Sequence, residues 1–327
     1  MKDQRKDALC VYVQNVLHCA EKPELSPLSG DASFRRYFRT QGLIAVDSPP
    51  ETQKNAEFVR IDRALELAGI RVPKILACDL QQGFLLLENL GSCLFADVAA
   101  GADQEAWYRK AATLLPAIAQ LDLPSLPRFD RVFIRRELQI FLDWMLHEAA
   151  GCEPDAAEQQ LLNETFTRLE EALTAQIQCP VHRDFHSRNL MVCGDTLAVI
   201  DFQDMVRGPA AYDAASLLYD CYLRLSEPLL AALVRQIYQL YLDCALLPKG
   251  YSEEKFTLDL KMVSLQRHLK VLGIFERLSR RDGKHRYLKD LPRVYTYTLE
   301  ECKALEGFGT FRRFLEDKLG GLGECVP

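Results

Sequence analysis

No uninterrupted apolar run of about 18 residues or more occurs in the 327-residue sequence, so no membrane-spanning helix is expected. There is no Cys-x-x-Cys pair and no histidine at zinc-ligand spacing, although the cysteines number eleven, from Cys10 to Cys325. Most sit in apolar context, as at Ala77-Cys78 and Val192-Cys193, where a thiol behaves as a small hydrophobe. A disulfide scaffold and a structural metal are therefore not expected, and a reducing compartment fits. Excess positive charge is missing too. The formal net charge is -6 and no basic cluster dominates a segment, which argues against a nucleic-acid partner. Met1 to Asp7 carries both signs, and Gln14, Asn15 and His18 interrupt the apolar stretch behind it. That suits an amphipathic helix better than a signal peptide. The expectation is a cytoplasmic protein with no obligate protein partner.

What is present is ordinary in bulk: 48% hydrophobic and 26% charged residues, the proportions of a globular protein. The length is generous for one core and suggests two lobes. Phe34 to Arg39 alternates as a strand, with Phe34, Arg36 and Phe38 on one face and Arg35, Tyr37 and Arg39 on the other. A second strand runs from Gly42 to Asp47, a helix from about Thr52 to Ala68, and a buried strand from Phe84 to Glu88. Beyond that point helical periodicities prevail, over 104–120, 133–149, 155–177, 227–246 and 254–279. The reading is an α+β chain with an N-terminal lobe over 1–90 and a larger, mainly helical lobe over 91–327.

One stretch carries chemistry. Val181 to Leu190 contains His182-Arg183-Asp184 and then Asn189, five residues after the aspartate, and Val199-Ile200 leads into Asp201-Phe202. That is the spacing a phosphotransferase needs. Magnesium takes hard oxygen ligands and usually only one or two from protein, which Asn189 and Asp201 can supply. Asp184 would face the acceptor and orient or deprotonate its hydroxyl. Cys193-Gly194-Asp195 is a plausible turn between the two strands. A lone His-Arg-Asp is common, but the three polar groups at this spacing, flanked by apolar segments, are a strong signal.

With these residues in view, the chain resembles the aminoglycoside phosphotransferase and choline kinase superfamily, and within it the bacterial anomeric kinases of N-acetylmuramate and N-acetylglucosamine that serve cell-wall recycling. The likeness is carried by Gly30 to Arg39, Gly83 to Gly91, Val181 to Met191, Ile200 to Asp204 with Gly208-Pro209, and Leu265 through Phe275 to Lys284. It implies a protein-kinase-like two-lobed fold with a small N-terminal sheet. It also implies the use of ATP and Mg2+, with a small amino sugar as acceptor. By the same resemblance the turn holding Gly30, Ala32 and Ser33 covers the nucleotide phosphates, and the peptide groups of Glu88 and Leu90 meet the adenine.

Two departures stand out. Gln203 occupies the place where protein kinases carry glycine, and Asp47 ends the strand that would carry their phosphate-binding lysine. An acid beside a triphosphate repels it, so either Asp47 points away or another cation takes over. Arg36 and Arg35 are the candidates, or else a solvated sheet edge. On the acceptor side Glu137, His186, Asp204, Arg207 and Arg267 are candidate sugar contacts. Arg267 and Lys270, three apart on a helix, could meet a lactyl carboxylate, while Lys270 reads equally as a surface residue. Asp213 is an N-cap or a brace for the catalytic loop. Another acceptor of the superfamily (aminoglycoside, choline or homoserine) and a nucleotide-binding pseudokinase remain the alternatives.

Overall fold

The computed structural model describes residues 3–28 and 35–325, with side chains as far as Leu322. Two compact units form, one from Met1–Leu94 with Asn189–Gln203, the other from Phe95–Arg188 with Asp204–Pro327.

In the first unit helix α1 (Gln4–Leu17) leads into strands β1 (Ser26–Pro27), β2 (Arg36–Thr40) and β3 (Leu43–Asp47), then helix α2 (Asn55–Leu67), β4 (Ile75–Asp79) and β5 (Phe84–Glu88). The strands make one antiparallel sheet in the order β1-β2-β3-β5-β4. Its alternation is legible in burial. Phe38, Ala45, Phe84 and Leu86 point to one face, where Leu9 and Val13 of α1 close the core. Each fully buried Leu or Phe of that set contributes about 1.5–3 kcal/mol through removal from water. The expected helix over Thr52 to Ala68 is α2, ended by Gly69, whose φ of +77° continues the chain where a side chain would strain it. β1 and β4 were not anticipated from the sequence. The hairpin Leu190–Cys193/Thr196–Val199 belongs to this unit, tied to it where Val192 N–H donates to the Cys93 carbonyl and Val199 N–H to that of Arg71.

The second unit is helical. It contains α3 (Phe95–Val98), α4 (Gln104–Ala119), α5 (Arg131–Ile140), α6 (Ala156–Ala175), α7 (Tyr212–Leu218), α8 (Glu227–Asp243), α9 (Glu253–Arg280), α10 (Leu291–Ala304) and α11 (Gly309–Leu319). A two-stranded sheet, Gln178–Val181 with Val206–Pro209, brackets the segment that carries Asp184. Capping follows the sequence closely. Asp130 accepts from Phe133 N–H at 2.9 Å, Asp155 and Glu158 form a reciprocal capping box, and Ser252 starts α9. The periodicity over 133–149 resolves into α5 followed by a π-helical segment, Phe141–Ala149, so one helical stretch changes its winding at Ile140. That junction faces Gly273 of α9, where an added Cβ would fall 2.3 Å from the Ile140 carbonyl oxygen. The 28-residue α9 is the buried centre of the unit, since from Val263 to Gly273 every residue is buried. No helix among the described residues is long and apolar enough to cross a membrane.

Candidate active site

The loop that follows Val181 departs from strand geometry because its backbone donors are drawn to carboxylates. Asp213 accepts from His182 N–H at 2.6 Å and from Arg183 N–H at 2.9 Å, and Asp220 accepts from Ser187 N–H at 2.9 Å. Of the two roles considered for Asp213, the brace is the one it fills: it lies inside α7, with both oxygens turned to the loop. Charge-assisted bonds to backbone N–H are the strong kind. They hold Arg183 at φ 78°, a left-handed conformation an arginine adopts only when its surroundings fix it. The Ser216 hydroxyl donates to the Arg183 carbonyl at 2.9 Å, and Phe185 is fully buried beneath the loop.

Asp184 is thereby presented half-buried in a field of cations. Burial alone would raise its carboxyl. Lys270, Arg183, His186 and Arg267 overcome this and hold it well below the usual carboxylate range. Behind it lies Glu137, 5% exposed, which accepts from Arg183, takes Gln266 Nε2 at 3.0 Å and faces Lys270 Nζ at 3.5 Å. Lys270 is therefore a core residue and not a surface one. Arg183 completes its fork on the Asp204 carbonyl at 3.2 Å, its guanidinium 4.9 Å from the centroid of the Phe133 ring.

The remaining acceptor-side candidates divide. Arg267 is 2% exposed, and neither its Nε nor its Nη1 has a hydrogen-bond partner among the described residues. His186 packs edge-on against Tyr222, its Nδ1 likewise without a partner, and burial pushes its pKa down. The Asp204 side chain is exposed, and only its carbonyl joins the Arg183 network. Arg207 lies in the two-stranded sheet, its guanidinium donating to the Gln178 carbonyl at 3.2 Å.

In the first unit the hairpin sets its own pair. Leu190 pairs with Val199, so Asn189 faces Ile200, whose N–H donates to the Asn189 carbonyl at 3.1 Å. Asp201 follows at φ 63°, which turns its carboxylate back until Oδ2 lies 3.5 Å from Asn189 Nδ2. Gln203 Nε2 donates to Asp201 Oδ1 at 2.7 Å. The residue that departs from the protein-kinase pattern thus aims the acid, a contact that needed the turn geometry to become visible. Phe202 stacks on Phe58 of α2 at 4.9 Å. One carboxylate and one amide, both hard oxygen donors on adjoining backbone, fit a magnesium ion that takes its other ligands from phosphates and water.

Asp47 is fully buried, and Arg5 Nε (2.7 Å) and Arg36 Nε (2.9 Å) hold its two oxygens. Arg36 is bound by Asp3 as well. Arg5 and Asp3 escaped the sequence reading because nothing local announces a contact across some 40 positions. Arg35 is buried instead. Its Nε donates to Ser48 Oγ at 2.9 Å and its guanidinium lies 4.7 Å from the centroid of the Phe58 ring. Gly30, Ala32 and Ser33 lie outside the described residues. At the strand end, the Glu88 N–H is taken by the Lys74 carbonyl and its carboxylate by Arg71, while the Leu90 carbonyl meets Cys193 Sγ at 3.8 Å.

Residues 24–248 match the phosphotransferase enzyme family. The chain belongs to that family. Over 84% of its length it is 39% identical to the N-acetylmuramate/N-acetylglucosamine kinase of Pseudomonas aeruginosa, covering 82% of that protein. It is 34% identical to the protein of the same name from Neisseria meningitidis serogroup B, with 84% of each chain covered. Among solved structures it is similar to a choline/ethanolamine kinase family protein of Mesorhizobium loti (TM-score 0.64, 14% identity, 95% of this chain and 98% of that one). It is also similar to the ADP-bound aminoglycoside phosphotransferase APH(2'')-Ib (TM-score 0.59, 12% identity, 92% and 99%). The α+β, protein-kinase-like fold and the phosphotransferase activity expected from the sequence both hold.

Proposed function

We propose that this phosphotransferase uses Mg-ATP to phosphorylate the anomeric hydroxyl of N-acetylmuramate and N-acetylglucosamine. The names of its relatives support the substrates, and the observation that carries the anomeric choice is the state of Asp184. A carboxylate held well below its usual range is a weak base. It can accept a hydrogen bond from a hydroxyl and orient it, but it removes a proton readily only from an acceptor more acidic than a plain alcohol. A hemiacetal hydroxyl is such an acceptor. As its oxygen bonds to the γ-phosphorus, the bond from that phosphorus to the ADP oxygen breaks, and the hydroxyl proton leaves by way of Asp184. Asn189 and Asp201 would hold magnesium, which would supply positive charge against the phosphates. Arg183 and Lys270, fixed by Glu137, keep Asp184 ionised and still. On the sugar, His186 and Asp204 are assigned as neighbours of the acceptor, with Arg207 further along the same chain segment.

The test is ADP release from Mg-ATP with N-acetylmuramate, N-acetylglucosamine, kanamycin and choline in parallel. Turnover with the two amino sugars alone is expected. Turnover with kanamycin or choline instead would sink the substrate assignment, and silence with all four despite measurable ATP binding would leave a pseudokinase.

At the nucleotide end we assign to Arg35, rather than Arg36, the place of the missing strand lysine, with the 30–33 turn and the Glu88–Leu90 segment contributing backbone. Arg36 is spent on Asp3 and Asp47. Arg35 lies on the Phe58 ring that stacks against Phe202, and Tyr37 is in the electrostatic range of both Arg35 and Asp201. Arg35→Met should weaken Mg-ATP binding about 10-fold or more, the loss of a charged hydrogen bond, while leaving adenosine binding alone. Calorimetry with both ligands decides it, since equal losses would make Arg35 a structural residue.

A further inference from the structure

We infer that Arg267 is the residue that binds a substrate carboxylate beside Asp184, and so distinguishes N-acetylmuramate from N-acetylglucosamine. The inference rests on the sugar-kinase reading above. A guanidinium stays charged at any ordinary pH and offers five N–H donors with no acceptor. Burying such donors without acceptors forfeits their bonds to water, so buried arginines are found with their donors engaged. Arg267 is 2% exposed, yet its Nε and Nη1 have no partner among the described residues.

Its charged neighbours each have an acid by contrast, although Arg183 Nε is itself without a partner among the described residues. Arg183 and Lys270 share Glu137. Asp220, the other acid in the field of Arg267, takes the backbone N–H of Ser187 at 2.9 Å and of Tyr222 at 2.8 Å. Asp213 is occupied by the catalytic loop. The acceptors for Arg267 must therefore come from outside the described residues: water when the site is open, and a ligand when it is filled.

Two features set the class of that ligand. Arg267 and Asp184 lie within each other's electrostatic range, so an acceptor on Arg267 belongs to the molecule whose hydroxyl Asp184 orients. Its guanidinium is also 5.6 Å from the centroid of the Tyr212 ring, and the Tyr212 hydroxyl is buried and equally without a partner. Adjacent N–H donors in a planar fork match a carboxylate, which they can bind through two parallel bonds. N-acetylmuramate carries a lactyl carboxylate on the same ring as its anomeric hydroxyl, and N-acetylglucosamine differs in lacking it.

The experiment is the ratio of kcat/KM for N-acetylmuramate to that for N-acetylglucosamine, measured for the wild type, Arg267→Met and Arg267→Lys. The ratio is unaffected by any fraction of enzyme that fails to fold, because both sugars are tested on one preparation. Arg267→Met is expected to lower it roughly 10- to 100-fold, the effect of a lost charge-assisted pair, and Arg267→Lys by less, since an ammonium keeps the charge but not the fork. An unchanged ratio in Arg267→Met, whatever the absolute rates, overturns the subsite and leaves the kinase reading standing. A wild type that turns over neither sugar removes that reading and the subsite with it.

Discussion

Replacing Asp184 by Asn lowers turnover by about 10²–10⁴-fold, the usual worth of a positioned acid–base group, and leaves Mg-ATP affinity within twofold or so of the wild type. The substitution keeps the shape and one acceptor oxygen but removes the charge. Lys270, Arg183, His186 and Arg267 all act on that charge, so its loss also changes the field around the side chain. On the proposed reading the nucleotide is held by residues outside the loop that carries Asp184, so its affinity is the control for the loss of turnover. Single-turnover phosphorylation beside a nucleotide titration measures the two separately. A variant that turns over at more than a tenth of the wild-type rate would show that the carboxylate merely occupies the loop.

The second large effect is on stability. Glu137→Ala is expected to cost about 3–5 kcal/mol, because it leaves Arg183 and Lys270 buried with their shared carboxylate gone. For a chain of this size that lowers the thermal midpoint by about 4–7 °C, to be read by scanning calorimetry. Burial alone would raise the Glu137 carboxyl, but Lys270 and Arg183 bring it below the usual range. The folded value is therefore depressed. The contribution is complete above the ordinary glutamate range and is lost as pH falls through the folded value, so wild type and variant should converge in midpoint as the solution is acidified. A variant with an unaltered midpoint at neutral pH would mean that Glu137 is dispensable to the network.

How far these groups could be foreseen depended on how local their causes are. The pairing of Asn189 with Asp201 was legible because one hairpin brings them together, and short-range spacing survives into structure. Helices with capping signals, such as Asp155 with Glu158 before α6, were legible for the same reason. β4 was missed because Ile75-Leu76-Ala77-Cys78-Asp79 is too short to show a period, and a neighbour (β5) makes it a strand. α10 and α11 were missed as well, although their periodicity is intact. The partners of Asp47 and the burial of Lys270 were beyond reach. Both follow from packing between elements far apart in sequence, and a charged side chain on a helix reads as solvated until a buried acid is placed against it.

The glycine in α9 sets how this segment can change over generations. Gly273 lies one helical turn after Lys270, and Ile140 one turn after Glu137, so the close approach of glycine to carbonyl occurs beside the 3.5 Å ion pair. A methyl group there would have to push the two helices apart, and the pair has little reach left to follow. Val271 and Leu272 can trade places with other apolar residues in a lineage that keeps the activity. Position 273 cannot, and inheritance through that point is confined to a single letter by a backbone that touches another backbone.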